Sequence, residues 1–401
     1  MFSWDHYSDQ PSIIKDKSLK RKIYLKTLPS FLKLILTNLL LSPFILFRYL
    51  LGCKCHQNQS EIFALGVSLE NQTPDTFKRL KELKVKHLLV RFPLSKIKEI
   101  QKYKEFIDNL SDFDVMINLI QDRSHIEDLE LLKKDVRVVF KTFKAVKEYQ
   151  VGTTINRKKW AFFSVEEYLS FYKTIEDLRD SEFKDISLVG SSVIDFEYHY
   201  SIRSLFNFYK IYYDRFSALL YVDRRGSPFN TQLGFDLFKK IKLLFCIVTL
   251  SKKSSNDIYI TETNWPITAT APYAPTSEKE CVNLQEYSYY MVAYYLISMA
   301  TKCVKRVYWH QLEAKGYGLV DQISNKEYPS FFAYKVMVDF LAGKNMLKYS
   351  VDKDIKEFEF EDITVYYSDG GFEKSFIKKG DLDIFANEYK EGKVLYRWKT
   401  C

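Results

Sequence analysis

Two short strings crowd acids, amides and aromatic rings together: Ile258-Tyr-Ile-Thr-Glu262-Thr-Asn264-Trp265-Pro266 and Arg306-Val-Tyr-Trp309-His310-Gln311. A carboxylate serves as nucleophile or as general acid/base, amides bond hydroxyl groups, and indole faces stack on apolar ring surfaces. Similar residues end other apolar runs: Arg91, Asp122, Asn156, Asp195, Glu197 and Tyr221. Asp195 and Glu197 are two apart, so on one strand they share a face. This set suits a sugar. Cleaving a glycosidic bond takes two carboxyl groups, about 5–5.5 Å apart for retention or about 6.5–9.5 Å for inversion.

Other chemistries lack their residues. The six His, at positions 6, 56, 87, 125, 199 and 310, have no metal-ligand spacing. Cys53-Lys-Cys-His56 has one residue between thiols where a zinc pair has at least two. No Gly-x-Gly-x-x-Gly or Walker loop offers a nucleotide site, and no Gly-x-Ser-x-Gly elbow offers a serine nucleophile. No metal and no cofactor are expected. Asn156-Arg157-Lys158-Lys159-Trp160 and Asp223-Arg224-Arg225 carry cations that suit an anionic sugar or phosphate, and equally suit a solvated loop.

The elements that must position these residues alternate. Apolar runs at Ile62–Leu69, His87–Phe92, Val115–Leu119, Glu148–Gly152, Ile186–Phe196, Ala218–Val222, Ile258–Thr261 and Val307–Leu312 read as strands. Longer stretches of helical period come after each. Eight strand–helix units match a (β/α)8 TIM barrel, with a doubly wound open sheet as the rival. A barrel gathers the strand ends, and hence these polar residues, on one face. The Tyr-rich stretch Tyr287–Tyr295 reads as helix packing. Beyond 345 the pattern turns to period two, which predicts a small antiparallel β appendage.

The string Ile258–Pro266 resembles the seventh strand of glycoside hydrolase clan A barrels. The resemblance implies that Glu262 is the nucleophile. Arg306–Leu312 resembles the eighth strand, with Trp309 as the aromatic of the sugar site. Val90-Arg91-Phe92 resembles the second, where an Arg stands near the nucleophile. Tyr221 is a looser match to an aromatic that touches the nucleophile. The resemblance spans about residues 60–345 and departs at the fourth strand. There the clan carries Asn-Glu with the Glu as acid/base, and this chain has Gly152-Thr-Thr-Ile-Asn156-Arg157. Glu197 is the first substitute acid, ahead of Asp195 and Asp122. Asn156, Asn264, Trp265 and Gln311 complete the expected substrate contacts.

Of the 401 residues, 46% are hydrophobic and 28% charged, a globular balance. The net charge of +9 is concentrated: residues 1–55 carry nine Lys or Arg against three Asp. That argues against nucleic acid and for a membrane surface. The basic cluster precedes an uncharged run, Leu34–Phe47, extendable over 28–51 and containing Pro43. No small-residue cleavage site comes after it, so it does not read as a cleaved leader. It predicts a spanning helix, with the body exported, an interfacial or re-entrant anchor drawn to anionic lipid, with the body in the cytoplasm, or a helix packed on the protein's own surface. The six Cys suggest no disulfide framework. The chain thus divides into 1–56 (a basic, membrane-associating segment), 57–345 (the barrel) and 346–401 (the β appendage). The expected protein is an O-glycosyl hydrolase at the inner, cytoplasmic membrane, acting on an envelope glycan or glycolipid such as lipopolysaccharide core. Its other partners would be lipid along 28–51 and a membrane protein. The alternative is an inactive glycan-binding or scaffold barrel. A glycosyltransferase would need a nucleotide or metal site.

Overall fold

The computed structural model describes residues 3–399 except His6, Ser8 and His56, and not the side chain of Arg224. Of the positions singled out above, His6, His56 and Cys401 lie outside the described residues. Eight parallel strands close into a barrel: β1 (Phe63–Val67), β2 (His87–Pro93), β3 (Asp114–Ile120), β4 (Glu148–Val151), β5 (Ser187–Ile194), β6 (Arg215–Leu219), β7 (Ile258–Thr263) and β8 (Arg306–Trp309). Closure comes from β8 on β1, with Val307 opposite Phe63 and Trp309 opposite Leu65. The open-sheet alternative is thereby excluded. The sixth strand begins earlier than its apolar run suggests, because Arg215 is held by Asp257 at 3.1 Å at the barrel floor. That leaves Tyr221 beyond the strand.

The strands are buried on both faces, as a parallel sheet covered by helices requires. Ala64, Leu89, Met116, Val189, Tyr259 and Tyr308 pack inside the barrel as a cluster of their own. Alternate residues face the surrounding helices: α2 (Thr76–Leu83), α3 (Ile100–Asp108), α4 (Arg123–Glu127), α5 (Leu129–Thr142), α6 (Val165–Glu182), α7 (Tyr198–Leu205), α8 (Leu237–Leu250), α9 (Leu284–Thr301) and α10 (Pro329–Leu341). Helix α9 is opened by an Asn283/Glu286 capping box and is buried nearly all round. Its tyrosines satisfy their hydroxyls on the barrel: Tyr294 donates to Leu220 O at 2.6 Å and Tyr295 to Val307 O at 3.0 Å. The Tyr stripe is core.

Four antiparallel strands form the C-terminal sheet: β9 (Lys348–Asp352), β10 (Ile355–Glu359), β11 (Ile363–Ser368) and β12 (Val394–Trp398). Tyr349 stacks on Phe238 of α8, and Tyr367 packs against Phe229 in the loop after β6. The sheet therefore buttresses one of the loops that shape the barrel mouth.

The N-terminal helix α1 (Lys17–Leu51) starts well before the apolar run, capped by Asp16. Its 35 residues give a length of about 50 Å. It is long and apolar enough to cross a membrane by length and composition. It packs on α7 and α8, with Asn38 Nδ2 donating to His199 O at 2.9 Å. Both of its ends are tied to the barrel. Before it, two paired two-residue strands, Trp4–Asp5 and Gln10–Pro11, form an arm laid on the mouth, with Asp9 and Gln10 in the cavity wall. After it, Cys53 bonds Cys246 and Cys55 bonds Cys303, with Cα–Cα distances of 5.9 and 4.9 Å. These disulfides correct the expectation that the cysteines form no disulfide framework. The partners lie 193 and 248 residues away, at places that only the closed barrel brings near.

A bond that closes so long a loop removes much freedom from the unfolded chain. A Cys55→Ser, Cys303→Ser double variant is expected to lose about 2–5 kcal/mol in urea unfolding. Mass analysis of the unreduced protein should find both bridges. An unchanged unfolding midpoint would count against them.

Candidate active site

The polar strand ends meet in a cavity of about 230 Å³ at the mouth, room for one sugar ring. From β2, Arg91 comes two residues after the inward side chain of Leu89 and so also points inward. It donates to Asp9 Oδ2 at 2.8 Å. Burial presses its basicity down, but Asp9 and Glu262 more than offset that and hold the guanidinium above its ordinary value.

The loop after β4 is built by a turn that needs glycine. Gly152 has φ +76°, and a Cβ there would meet the Phe162 ring at 3.3 Å. Gln121, just past β3, then pins the loop: its Nε2 donates to Thr153 O at 2.9 Å and Trp160 O at 2.6 Å, and its Oε1 accepts from Thr153 N at 3.0 Å. This presents Thr154, Arg157, Lys159 and Trp160 to the cavity. Thr154, not a carboxylate, faces the cavity from this side.

Past β5, Asp195 lines the cavity and accepts from Arg157 Nη2 at 2.8 Å. Glu197 is not part of the lining; Asn156 Nδ2 donates to it at 2.7 Å and Arg157 also holds it. Their spacing predicts that the two acids share a strand face, and the structure corrects this. Strand β5 ends at Ile194, and Asp195 has φ 63°, which breaks the period of two. Asp122 also stands apart, capping α4 and bonding His125.

At the end of β7, Glu262 Oε1 accepts from the Tyr221 hydroxyl at 2.5 Å. Burial, then the Glu262 charge, raises that phenol well above its ordinary value, so it stays a proton donor. Arg225 lies over the Tyr221 ring at 3.5 Å and donates to Asn264 O at 3.1 Å. Asn264 Nδ2 donates to His310 O at 2.7 Å, joining the ends of β7 and β8.

The resemblance implies that Trp309 lies in the sugar site, and the geometry corrects this. Tyr308 points into the barrel, so Trp309 points out and His310 in. Trp309 is fully buried, stacked on Trp265 with centroids 5.8 Å apart, its Nε1 donating to the Tyr287 hydroxyl at 2.8 Å. Trp265, Gln311 and Asn156 also stay outside the lining. Of the expected site residues, the cavity gathers Glu262, Asp195, Arg91, Tyr221 and Asn264. It adds His310, Tyr317, Arg225 and, from the arm, Asp9 and Gln10. Strand parity alone points to His310; no local signal points to Asp9. Among the described residues no cluster of His, Cys, Asp and Glu could hold a metal ion.

The fold is shared with solved glycosidases. A family 39 glycoside hydrolase from Bacteroides cellulosilyticus WH2 aligns with a TM-score of 0.58 at 12% identity, over 85% of this chain and 81% of that one. A glucosidase from Croceicoccus marinus aligns at 0.57 and 10%, over 79% and 74%. A family 30 endoxylanase from Clostridium papyrosolvens C71 aligns at 0.53 and 11%, over 78% and 82%. No family model matches the chain, and no curated protein sequence does. At these identities the likeness is one of fold alone, a closed (β/α)8 barrel.

Burial pushes the His310 imidazole down to about 4 from 6.5, with Glu262 opposing and Arg91 and Arg225 assisting. The unfolded chain therefore binds this proton more readily. The contribution to stability is complete above pH 6.5 and is lost as pH falls toward 4. It amounts to about 3 kcal/mol at most. A His310→Gln variant is expected to lose that part of the pH dependence between pH 4 and 6.5 in thermal unfolding. An unchanged profile would mean that His310 titrates normally.

Proposed function

We propose that the protein is a membrane-associated glycoside hydrolase acting on a cell-envelope glycan or glycolipid. One observation carries the reading. Glu262 stands at the end of β7 in a cavity at the C-terminal rim, its carboxylate oriented by Tyr221, and Asp195 lines the same cavity. In this reading Glu262 attacks the anomeric carbon while the leaving oxygen takes a proton from Asp195. Water then cleaves the glycosyl ester and returns a proton to Asp195. Tyr221 keeps the carboxylate turned toward the ring. Asp195 takes the acid/base role from Glu197, which is set back from the cavity. Asn264 and His310, kept neutral by burial, offer hydrogen bonds to sugar hydroxyls.

The membrane part rests on α1. Its Leu36, Leu39, Leu40, Phe44, Phe47, Leu50 and Leu51 are each more than half exposed, and Lys17, Lys20, Arg21, Lys22 and Lys26 are exposed on its first turns. With both ends tied to the barrel, the reading that suits α1 is a helix lying in the interface, apolar face in the lipid and cations on anionic headgroups. The two disulfides favour an oxidising compartment, and so the outer face of the cytoplasmic membrane rather than the cytoplasmic body that the sequence pairs with an interfacial helix. Lipopolysaccharide core is one glycolipid that meets these conditions.

The second reading is an inactive glycan-binding barrel, favoured by Thr154 on the β4 side. Turnover separates the two. With a cleaved glycan in hand, Glu262→Gln should lower kcat at least about a thousandfold. Asp195→Asn should lower it about 10²- to 10⁴-fold, and most for poor leaving groups. A Glu262→Gln protein with full activity would remove the mechanism. In flotation with vesicles, the chain should rise with anionic lipid and much less with neutral lipid. Equal behaviour on both would remove the electrostatic part of the attachment.

A further inference from the structure

Four cations line the cavity around Glu262: Arg91, Arg157, Lys159 and Arg225. Two are engaged by the barrel itself. Arg157 is held by Asp195 and Glu197, and Arg225 lies on Tyr221 and bonds Asn264. The other two meet the arm. Arg91 Nη1 donates to Asp9 Oδ2 at 2.8 Å, and Lys159 Nζ donates to Gln10 Oε1 at 2.6 Å. We propose that the cavity takes a glycan bearing an anionic group, a carboxylate or a phosphate, and that Asp9 holds that group's place in this structure.

The argument is one of charge balance. The Arg91 side chain is 7% exposed. A guanidinium stripped of water needs a negative partner, since a buried charge left unpaired is strongly destabilising. Glu262 is a nearby negative charge, but its carboxylate is turned to Tyr221. The partner in direct contact with Arg91 is Asp9. That residue is carried by a short arm whose aromatic contacts among the described residues include Trp4 edge-on to Trp160 and Tyr7 edge-on to Tyr273, both at 5.7 Å. A glycan group that contacts the Arg91 guanidinium must displace Asp9, which occupies it in this structure. The incoming molecule then has to replace the charge that it removes. A neutral sugar cannot. A carboxylate or phosphate can, on a planar guanidinium fork that matches either geometry, with Lys159 close by.

This inference deepens the glycan-site reading and rests on it, but its test uses binding rather than cleavage. The full chain is applied at low salt to an array of matched neutral, carboxylated and phosphorylated glycans. Retained glycans are expected to be acidic, and to bind at least about tenfold tighter than their neutral counterparts. The preference should shrink at high salt. Asp9→Asn removes the competing carboxylate and should tighten acidic binding severalfold. Lys159→Gln, on a surface loop and checked for an unchanged melting temperature, should weaken it severalfold. Carboxylated and phosphorylated ligands on the array separate the two anion sources. Retention of neutral glycans, or no acidic glycan retained even by Asp9→Asn, would overturn the proposal. Acidic glycans bound but never cleaved would uphold it and remove the hydrolase reading. Cleavage of a neutral glycan with no acidic preference would do the reverse.

Discussion

The rest of the structure depends on the closure of β8 onto β1. Until Val307 and Trp309 pair with Phe63 and Leu65, the chain is an open sheet with two raw edges. Once they pair, all eight strand ends share one rim, and the period-two alternation sorts every residue into barrel interior or helical layer. The site is a by-product of that sorting. Arg91, Asp195, Glu262 and His310 come from four different strand ends spread over most of the barrel's sequence, yet they share one small cavity. The tyrosines of α9 brace the arrangement from outside by bonding backbone carbonyls at the ends of β6 and β8.

Much of this is legible in the sequence because barrels write themselves in short range. Each strand is an apolar run and each helix has its own period, so the eight units and their order emerge from local pattern. What fails is parity at strand ends, where regular pleating stops. Asp195 takes a left-handed conformation one residue past β5, and the expected pairing of Asp195 with Glu197 is broken there. Trp309 attracts the eye as the aromatic of the site, but one step of alternation puts it in the core and gives the cavity His310. The disulfides are illegible for a different reason. Their partners are brought together by the fold, and no spacing in the sequence encodes a contact between Cys55 and Cys303.

The two ends of the barrel handle charge differently. At the floor, Arg306 sits among Glu61 and Glu148, and Arg215 and Lys305 share Asp257. Each cation there is answered by an acid fixed within the barrel or beside it, which is how buried charge is made tolerable. At the mouth the barrel's own acids answer Arg157, while Arg91 is answered by the arm. A balanced floor suits a foundation. An answer held on a segment outside the barrel suits a place where, in the proposed reading, another anion binds.

The same arm constrains how the chain can meet a membrane. A helix that crosses a bilayer puts the segments at its two ends on opposite sides. In this structure Asp9, ahead of α1, contacts Arg91, and the cysteines after α1 clasp α8 and the start of β8, so both ends belong to one body. In the proposed attachment the apolar side of α1 then meets lipid sideways, as part of the barrel's outer wall. That sets the mouth, at the N-terminal end of α1, and the floor, at its C-terminal end, along the membrane plane rather than one above the other. A glycan carried on a lipid headgroup reaches such a mouth from the side, without leaving the surface that holds it.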